Sequence, residues 1–149
     1  YYIYGLQLMA RNDAPLASWE DLKTSGKHWS VGVLTGSAAE KYLQQEEWKP
    51  YVDVVSYDGT TDGLSQVEKY SSHLTLLDDC AAIYYADRYQ TLKFVGRPVG
   101  QGSYVMLVDQ EDEQWQKIIN EALGRIIADG RLQKIYDRWN MSGKAQMLA

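Results

Sequence analysis

The stretch "VGVLTGSAAEKYL", Val31–Leu43, changes from a strand-like to a helix-like hydrophobic pattern within a few residues. An apolar, β-branched run ends at Gly36, and helical spacing begins directly after it. Ser37 and Glu40 stand three positions apart, which is the spacing of a capping box at a helix N-terminus. We therefore predict a strand over "WSVGVLTG", a tight turn, and a helix over "SAAEKYLQQ".

The same change from strand to helix recurs along the chain. It is predicted for "YVDVVSY" with "TTDGLSQVEKY", and for "SSHLTLL" with "DDCAAIYYADRYQ". A strand "YIYGLQLMA" and a short helix "SWEDLKT", capped by Ser18, come first. Two strands, "LKFVG" and "GSYVMLV", are predicted around a loop "RPVGQG", followed by a helix with an apolar stripe from Trp115 to Ile127 and a last short helix ending near Trp139. Alternating strands and helices predict an α/β fold with a mainly parallel sheet.

Composition excludes several classes of protein. The chain has 149 residues, with 15 basic and 20 acidic side chains and a formal charge of −5, so a nucleic-acid backbone is a poor partner. Cys80 is the single cysteine, which excludes an internal disulfide. No apolar run approaches the roughly 20 residues of a membrane span. The N-terminal "YYIYGLQLMA" lacks the pattern of a signal peptide and reads as a strand, so we expect the chain to be cut from something longer.

The predicted sheet indicates where a ligand would bind. In parallel α/β sheets, ligands lie beyond the carboxyl ends of strands, where loops lead into helices. In this chain these segments are Leu34–Ala39 and Leu77–Asp79. The backbone N–H groups of Gly36, Ser37 and Ala38, at a helix N-terminus, could receive a carboxylate or a phosphate. The alternative is that glycine makes the turn and Ser37 only caps the helix.

Asp78 is the second candidate binding residue. It follows the apolar run "LTLL" and precedes Asp79, which is the better placed of the two acids to cap the next helix. Asp78 could pair with a ligand ammonium, although both acids could equally serve the helix dipole. An anion site and an acid at the same edge of a sheet would together suit the two ends of a zwitterion such as an α-amino acid.

The remaining reactive side chains predict no catalysis, metal or cofactor. His28 and His73 have no acidic or cysteine partner at metal-ligand spacing, so a zinc site is not expected. No Gly-x-Ser-x-Gly occurs, and Cys80 has no obvious histidine partner. "GQGSYV", which starts at Gly100, lacks the third glycine of a dinucleotide motif and precedes a strand.

The order of these segments resembles a known family. From Tyr1 to about Trp139 the chain is similar to the bacterial extracellular solute-binding proteins of family 3, the periplasmic amino-acid-binding proteins of ABC transporters. "ADGRLQKIYDRW" is the most specific match, being similar to the family's closing helix pair. The other matching pieces are "YYIYGLQLMARNDAPLASWEDL", "VGVLTGSAAEKYL", "VVSYDGTTDGLSQVE", "LTLLDDCAAIYY" and "FVGRPVGQGSYVMLV".

The resemblance implies a type II periplasmic-binding-protein-like fold with helices on both faces of the sheet. Residues 1–12 would be a crossing strand from a first lobe, 13–95 the second lobe, 96–141 the return strand and the C-terminal helices of the first lobe, and 142–149 a tail. Most of the first lobe, which in this family supplies a carboxylate-binding arginine and an aromatic wall, is not in these residues. The chain alone would then be a half-site, and the stripe from Trp115 to Ile127 would be covered by a missing segment, a swapped partner or another copy.

The resemblance also implies roles for individual residues. The Ser37 hydroxyl and the N–H groups near Ala38 would bind the ligand α-carboxylate, and Asp78 would bind the α-ammonium. The ligand side chain would lie near Leu34, Thr35 and Leu77. Leu77 stands where the family often has a polar residue, which favours a less polar ligand.

The implied function is capture of an amino acid for delivery to an ABC-transporter permease, without enzymatic activity or a cofactor. The implied location is the bacterial periplasm or the extracellular side, with or without a membrane anchor. Two alternatives use the same fold. One is the ligand-sensing domain of a receptor or a cell-wall enzyme, and the other is a dehydratase acting on prephenate or arogenate.

Overall fold

The computed structural model describes residues 1–70, 73–143 and 146. The chain divides into two compact units. One is Gly5–Gln101, and the other combines Tyr1–Tyr4 with the chain from Gly102 onward. Because the candidate binding residues all lie in Gly5–Gln101, this unit is described first and called the sheet unit.

A five-stranded sheet organises the sheet unit, with the strand order β3-β2-β4-β1-β5. The first and the last strand of the sequence, β1 and β5, each have a few residues that belong to the other unit. The bounds are β1 Tyr2–Arg11, β2 Trp29–Leu34, β3 Val52–Tyr57, β4 His73–Asp78 and β5 Leu92–Tyr104.

Strand direction determines which loops share an edge. β2 runs parallel to β3, with Leu34 opposite Tyr57, and parallel to β4, with Gly32 opposite Thr75. β1 is antiparallel to β4. The prediction of an α/β fold is confirmed, with a sheet that is mixed because of β1, and the carboxyl ends of β2, β3 and β4 lie at one edge.

Helices follow these three strands. In the sheet unit the structure has α1 Glu20–Thr24, α2 Ala38–Leu43, α3 Thr60–Lys69 and α4 Asp79–Ala86. In the other unit, α5 (Glu113–Ala128) begins where the Asp112 carboxylate accepts a hydrogen bond from the Trp115 backbone N–H at 3.0 Å, and α6 is Arg131–Arg138. Gly130 separates these two helices with φ +75°, a conformation that glycine adopts without steric cost.

The core of the sheet unit consists of aliphatic side chains from the central strands and the helices beside them. β2 and β4 are buried at consecutive residues, Val31–Val33 and Leu74–Leu77, so both faces of these strands are covered, which explains why they are rich in valine and leucine. The fully buried large side chains are Leu8, Met9, Leu16, Leu22, Leu43, Leu64, Leu74, Leu76, Val31, Val67 and Val95.

Helix α3 approaches the sheet closely at two glycines. A Cβ on Gly63 would lie 2.8 Å from Thr75 Oγ1, and a Cβ on Gly32 would lie 3.0 Å from the Tyr57 ring. Since these distances are shorter than ordinary van der Waals contacts, only glycine fits at these positions without displacing its neighbours.

The prediction of two strands around "RPVGQG" is wrong. β5 runs unbroken from Leu92 to Tyr104, and Val105–Val108 are not part of it. The reason is that β5 lies at the edge of the sheet, where Pro98 removes no essential ladder bond. Gly96 and Gly100 take positive φ values of 63° and 60° within the same strand.

Two predicted helix caps are also wrong. The N-cap of α1 is Trp19 rather than Ser18. The Asp21 carboxylate accepts hydrogen bonds from the Ala17 and Ser18 N–H groups, so the return bond from an acid to Ser18 that a capping box contains is present. Asp78, not Asp79, is the N-cap of α4, and Asp79 is the first residue of that helix.

Parts of two predicted segments lie outside the described residues. Ser71 and Ser72, predicted to start the strand "SSHLTLL", are among them, and β4 is described from His73. In the predicted tail 142–149, only residues 142, 143 and 146 are described.

Candidate functional site

A cavity of about 90 Å³ lies at the carboxyl edge of the sheet. β2, β4 and the helices that follow β2, β3 and β4 all contribute to its wall. The cavity is lined by Val33, Leu34, Ser37, Ala39, Gly59, Thr60, Gly63, Thr75, Leu76, Leu77, Asp78 and Ala81. Four predicted site residues, Leu34, Ser37, Leu77 and Asp78, are thus brought to one cavity.

The turn between β2 and α2 is built by Gly36 and Ser37. Gly36 has φ +74°, the left-handed region in which a side chain is strained. Ser37 is the N-cap of α2, and its hydroxyl oxygen accepts a hydrogen bond from the Glu40 N–H at 3.2 Å. The hydroxyl proton of Ser37 can still be donated to a ligand. This half of the predicted capping box is confirmed.

The other half of the capping box differs from the standard pattern. The Glu40 carboxylate accepts from the Gly36 N–H at 2.7 Å and from the Ser56 hydroxyl, rather than from the Ser37 N–H. The Ser56 hydroxyl and the Gly36 N–H lower the pKa of Glu40, so this acid is ionised near neutral pH. The turn therefore already holds one carboxylate of its own.

The donors left for a ligand carboxylate follow from these bonds. The Gly36 N–H is taken by Glu40, and the Ser37 N–H donates to the Leu34 carbonyl at 3.1 Å. Ala38 and Ala39 are in the first turn of α2, where N–H groups have no partner within the helix. The Ser37 hydroxyl and the N–H groups of Ala38 and Ala39 are the donors that remain.

Thr35 has a structural contact of its own. Its hydroxyl donates to the Tyr57 carbonyl at 3.0 Å, and its N–H donates to the same oxygen at 2.8 Å. The side chain of Thr35 is exposed and does not line the cavity. Thr35 thus joins the end of β2 to the end of β3, whereas its neighbour Leu34 lies at the mouth of the cavity.

Two adjacent acids at the end of β4 have different environments. Asp78 lines the cavity and is the only ionisable residue among the lining side chains that the structure describes. Asp79 is half-buried, and burial is the main reason that its pKa is raised, although backbone N–H groups of Gly5 and Cys80 partly oppose the change. Its Oδ1 atom has no hydrogen-bond partner among the described residues. Asp78 thus lies at the cavity, whereas Asp79 contacts Gly5 of β1.

Sequence reasoning missed the loop after β3. Gly59 and Thr60, at the start of α3, line the cavity together with Gly63, Thr75 and Ala81. The signal that could have found this loop is the parallel pairing itself, because every parallel strand delivers its carboxyl end to the same edge.

The histidines do not assemble a metal centre. Among the described residues, no group of three or more His, Cys, Asp or Glu side chains could hold a metal ion. His28 lies on the surface, where its Nδ1 is 2.9 Å from Asp53 Oδ2. The described part of the chain also has no helix that is both long and apolar enough to cross a membrane.

In α/β units, ligands bind at the carboxyl ends of parallel strands, which is where this cavity lies. The chain belongs to the bacterial extracellular solute-binding proteins, family 3, whose model matches residues 1–142. The resemblance seen in the sequence is confirmed, and the family is one of binding proteins.

Individual relatives are distant but match nearly the whole chain. The Glutamate/aspartate import solute-binding protein of Escherichia coli is 22% identical over 145 residues, covering 93% of this chain and 46% of the relative. The L-cystine-binding protein TcyJ of the same species is 27% identical over 142 residues, covering 93% of this chain and 51% of the relative. The chain therefore spans about half the length of the curated relatives it matches.

A solved structure shares the fold. A mutant of ArgBP from T. maritima superimposes with a TM-score of 0.79 at 19% identity, covering 95% of this chain and 60% of the other. The α/β architecture described above is thus that of solved binding proteins.

Proposed function

We propose that this chain is part of an extracytoplasmic solute-binding protein that holds an α-amino acid for uptake through an ABC-transporter permease. The observation that carries the proposal is the position of Ser37 and Asp78. Ser37 follows β2, Asp78 is the last residue of the neighbouring parallel strand β4, and both line one cavity. A hydrogen-bond donor and an anion at one edge of a sheet match the two charged groups of an amino acid.

The carboxylate of the ligand would be held by the turn after β2. The Ser37 hydroxyl and the N–H groups of Ala38 and Ala39 would donate to it, with support from the positive end of the α2 peptide dipoles. Gly36 would act indirectly, by giving the turn its left-handed conformation. The ammonium of the ligand would be held by Asp78 through a charge-assisted hydrogen bond.

The names of the relatives support an amino acid as the class of ligand. One is named for glutamate and aspartate and another for L-cystine. These compounds share an α-carboxylate and an α-ammonium and differ in their side chains, so a site for the shared groups is expected to recur. The family name also supports an extracellular or periplasmic location in a bacterium, and binding without catalysis or a cofactor.

The test is an amino-acid titration of the 149-residue chain by two-dimensional NMR, which detects binding even in the millimolar range. Amide signals of Ala38, Ala39 and Asp78 should shift. Because a hydrogen bond to a charged group contributes about 1.5–3 kcal/mol, Asp78→Asn should weaken binding by roughly 10- to 100-fold. Asp87→Asn, at the other end of α4, is the matched control and should leave binding unchanged. Equal binding by the Asp78 and Asp87 variants would contradict the proposal.

We also propose that protein surface outside these 149 residues covers α5. None of the residues of this helix is buried, and Trp115, Ile118 and Ile127 are 57%, 43% and 54% exposed. A further segment, a swapped partner or another copy would remove this apolar surface from water. Sedimentation equilibrium distinguishes these partners, because only swapping or another copy gives a dimer that Ile118→Ser weakens. The division into residues 1–12, 13–95, 96–141 and 142–149 remains part of this proposal.

A further inference from the structure

Most of the cavity wall at the carboxyl edge of the sheet is apolar. Polar side chains are contributed only by Ser37, Thr60, Thr75 and Asp78 among its lining residues. The others are glycines or aliphatic residues, namely Val33, Leu34, Ala39, Gly59, Gly63, Leu76, Leu77 and Ala81. If Ser37 and Asp78 hold the α-carboxylate and the α-ammonium, the rest of the wall is left to contact the side chain of the ligand.

The buried polar group of this wall is already paired. Thr75 is 3% exposed, and its hydroxyl donates to the Gly32 carbonyl at 3.0 Å. Close packing of Gly63 against the same hydroxyl oxygen holds it in place. The proton of Thr75 is therefore not available to a ligand, which leaves the Thr60 hydroxyl as the polar side-chain group for this part of the wall. A polar ligand side chain that lies against the aliphatic residues instead would lose hydrogen bonds to water without replacement.

The charges of the site oppose an ionised side chain. Among the described residues that line the cavity there is no lysine, arginine or histidine. An acidic side chain would meet no cation there and would lie near the anions Asp78 and Glu40. A basic side chain would be taken out of water among aliphatic groups, which disfavours its charge.

The volume of the cavity favours a small side chain. The cavity measures about 90 Å³ and is open to solvent beside Leu34. An enclosed apolar cavity of roughly 150 Å³ is known to hold a benzene ring. The smaller cavity can enclose a short aliphatic group, whereas an aromatic side chain is too large to be enclosed by it.

We propose that the cavity takes the small, uncharged aliphatic side chain of an α-amino acid, such as that of alanine or valine. This inference rests on the amino-acid-binding function proposed above. It makes Leu34, Leu77 and Ala81 determinants of specificity and separates this chain from the relatives named for glutamate, aspartate and cystine.

The test is an NMR titration of the 149-residue chain with glycine, alanine, valine, aspartate, lysine and phenylalanine. Glycine presents only the shared carboxylate and ammonium, so it measures the proposed function alone. Each buried methylene raises the association constant about fourfold, so alanine should bind about fourfold and valine more than tenfold more tightly than glycine. Aspartate, lysine and phenylalanine should bind no more tightly than glycine.

Two variants locate the effect in the cavity. Ala81→Leu fills the space and should reduce the valine-to-glycine ratio to about one, whereas Ala86→Leu makes the same change in α4 away from the cavity and should keep the ratio. Leu34→Asn, at a position that is 39% exposed, is a second test that does not depend on tolerance of a larger buried side chain. It should lower the ratio several-fold.

The outcomes separate the two proposals. Glycine binding without a gain for valine, or tightest binding of aspartate or lysine, overturns this inference and leaves the proposed function standing. No binding of any of the six amino acids overturns both. A valine preference that both Ala81→Leu and Leu34→Asn reduce, and that Ala86→Leu does not, supports both.

Discussion

The Glu40 carboxylate accepts a hydrogen bond from the Gly36 N–H at 2.7 Å, within the turn that is proposed to bind the ligand carboxylate. The same acid accepts from the Ser56 hydroxyl on β3. Glu40 thus links α2 to a neighbouring strand and shapes the turn. It also places a negative charge next to a site meant for an anion, and these two effects can be separated by substitution.

Glu40→Gln keeps an oxygen acceptor and removes the charge. Since like charges repel even when exposed, we expect the affinity for glycine to rise by roughly two- to threefold. Glu40→Ala removes the acceptor as well and should weaken binding, because the turn loses its link to Ser56. Both affinities can be measured by NMR titration, and a loss of affinity with Glu40→Gln would show that the charge itself is needed.

Stability should depend on Glu40 in acid. The pKa of this carboxyl is lowered from its usual value of 4.5, so the unfolded chain binds the proton more readily than the folded chain. The stabilisation is complete above pH 4.5 and is lost as the pH falls through the lowered value. Urea unfolding between pH 7 and pH 3 should show a smaller decline for Glu40→Gln than for the unchanged chain, and parallel declines would contradict the contact.

Asp79 should have the opposite dependence on pH. Burial raises its pKa from 3.8, so charging it costs more in the folded chain than in the unfolded one. Below pH 3.8 the carboxyl is neutral and this cost is absent. As the pH rises from 3.8 through the raised pKa, the carboxyl ionises and the free energy of unfolding falls. Asp79→Asn should have a higher urea midpoint than the unchanged chain at pH 7, and the two should converge below pH 3.8. A lower midpoint at pH 7 would show that the N–H groups of Gly5 and Cys80 require the charge.

Ser37 should contribute to stability as well as to binding. Its hydroxyl accepts from the Glu40 N–H, and removal of a helix cap costs about 1 kcal/mol. Ser37→Ala should lower the free energy of unfolding by that amount in urea titrations without ligand. Ser65→Ala, inside α3, makes the same change away from a cap and should not destabilise, because alanine is the better helix former. Equal losses in both variants would contradict the cap.

The contact between Gly63 and Thr75 predicts a strong effect of a single methyl group. Gly63→Ala would place Cβ 2.8 Å from Thr75 Oγ1, and the overpacking should cost about 1–3 kcal/mol. Gly124→Ala is the control, because nothing lies within 4 Å of the added Cβ. Alanine in the interior of α5 should raise the free energy of unfolding by at most about 1 kcal/mol. Urea unfolding of both variants measures the difference, and a tolerated Gly63→Ala would show that α3 can move away from the sheet.

Local patterns predicted the elements around the site well. The change from strand to helix in Val31–Leu43 is encoded by neighbours in sequence, namely a β-branched run, a glycine and a capping serine. The same holds for β4 and α4. These features need no knowledge of the rest of the chain, because each is stabilised by residues within one turn or strand.

The two helix caps that differ from the prediction, Trp19 and Asp78, do so by one position, but the other features that were missed or wrong depend on distant residues. The unbroken course of β5 through Pro98 follows from its position at the edge of the sheet. The bond from Gly36 to Glu40 depends on Ser56, which β3 brings close. The loop of Gly59 and Thr60 joins the cavity only because β3 is parallel to β2. The alternation of strands and helices predicted a mainly parallel sheet, but the order of the strands and the contacts between them are not visible in hydrophobic periodicity.

The pairing of β2 with β4 has a consequence for the backbone of a ligand. Hydrogen-bonded strands lie about 4.8 Å apart, so the end of β2, which leads to Ser37, and the end of β4, which is Asp78, are about one strand spacing apart. A compound with extra carbons between its amino and carboxyl groups, such as a γ-amino acid, would separate its charges too far for both contacts. The geometry of the sheet, independently of any side chain in the cavity, would therefore select for the length of the ligand backbone.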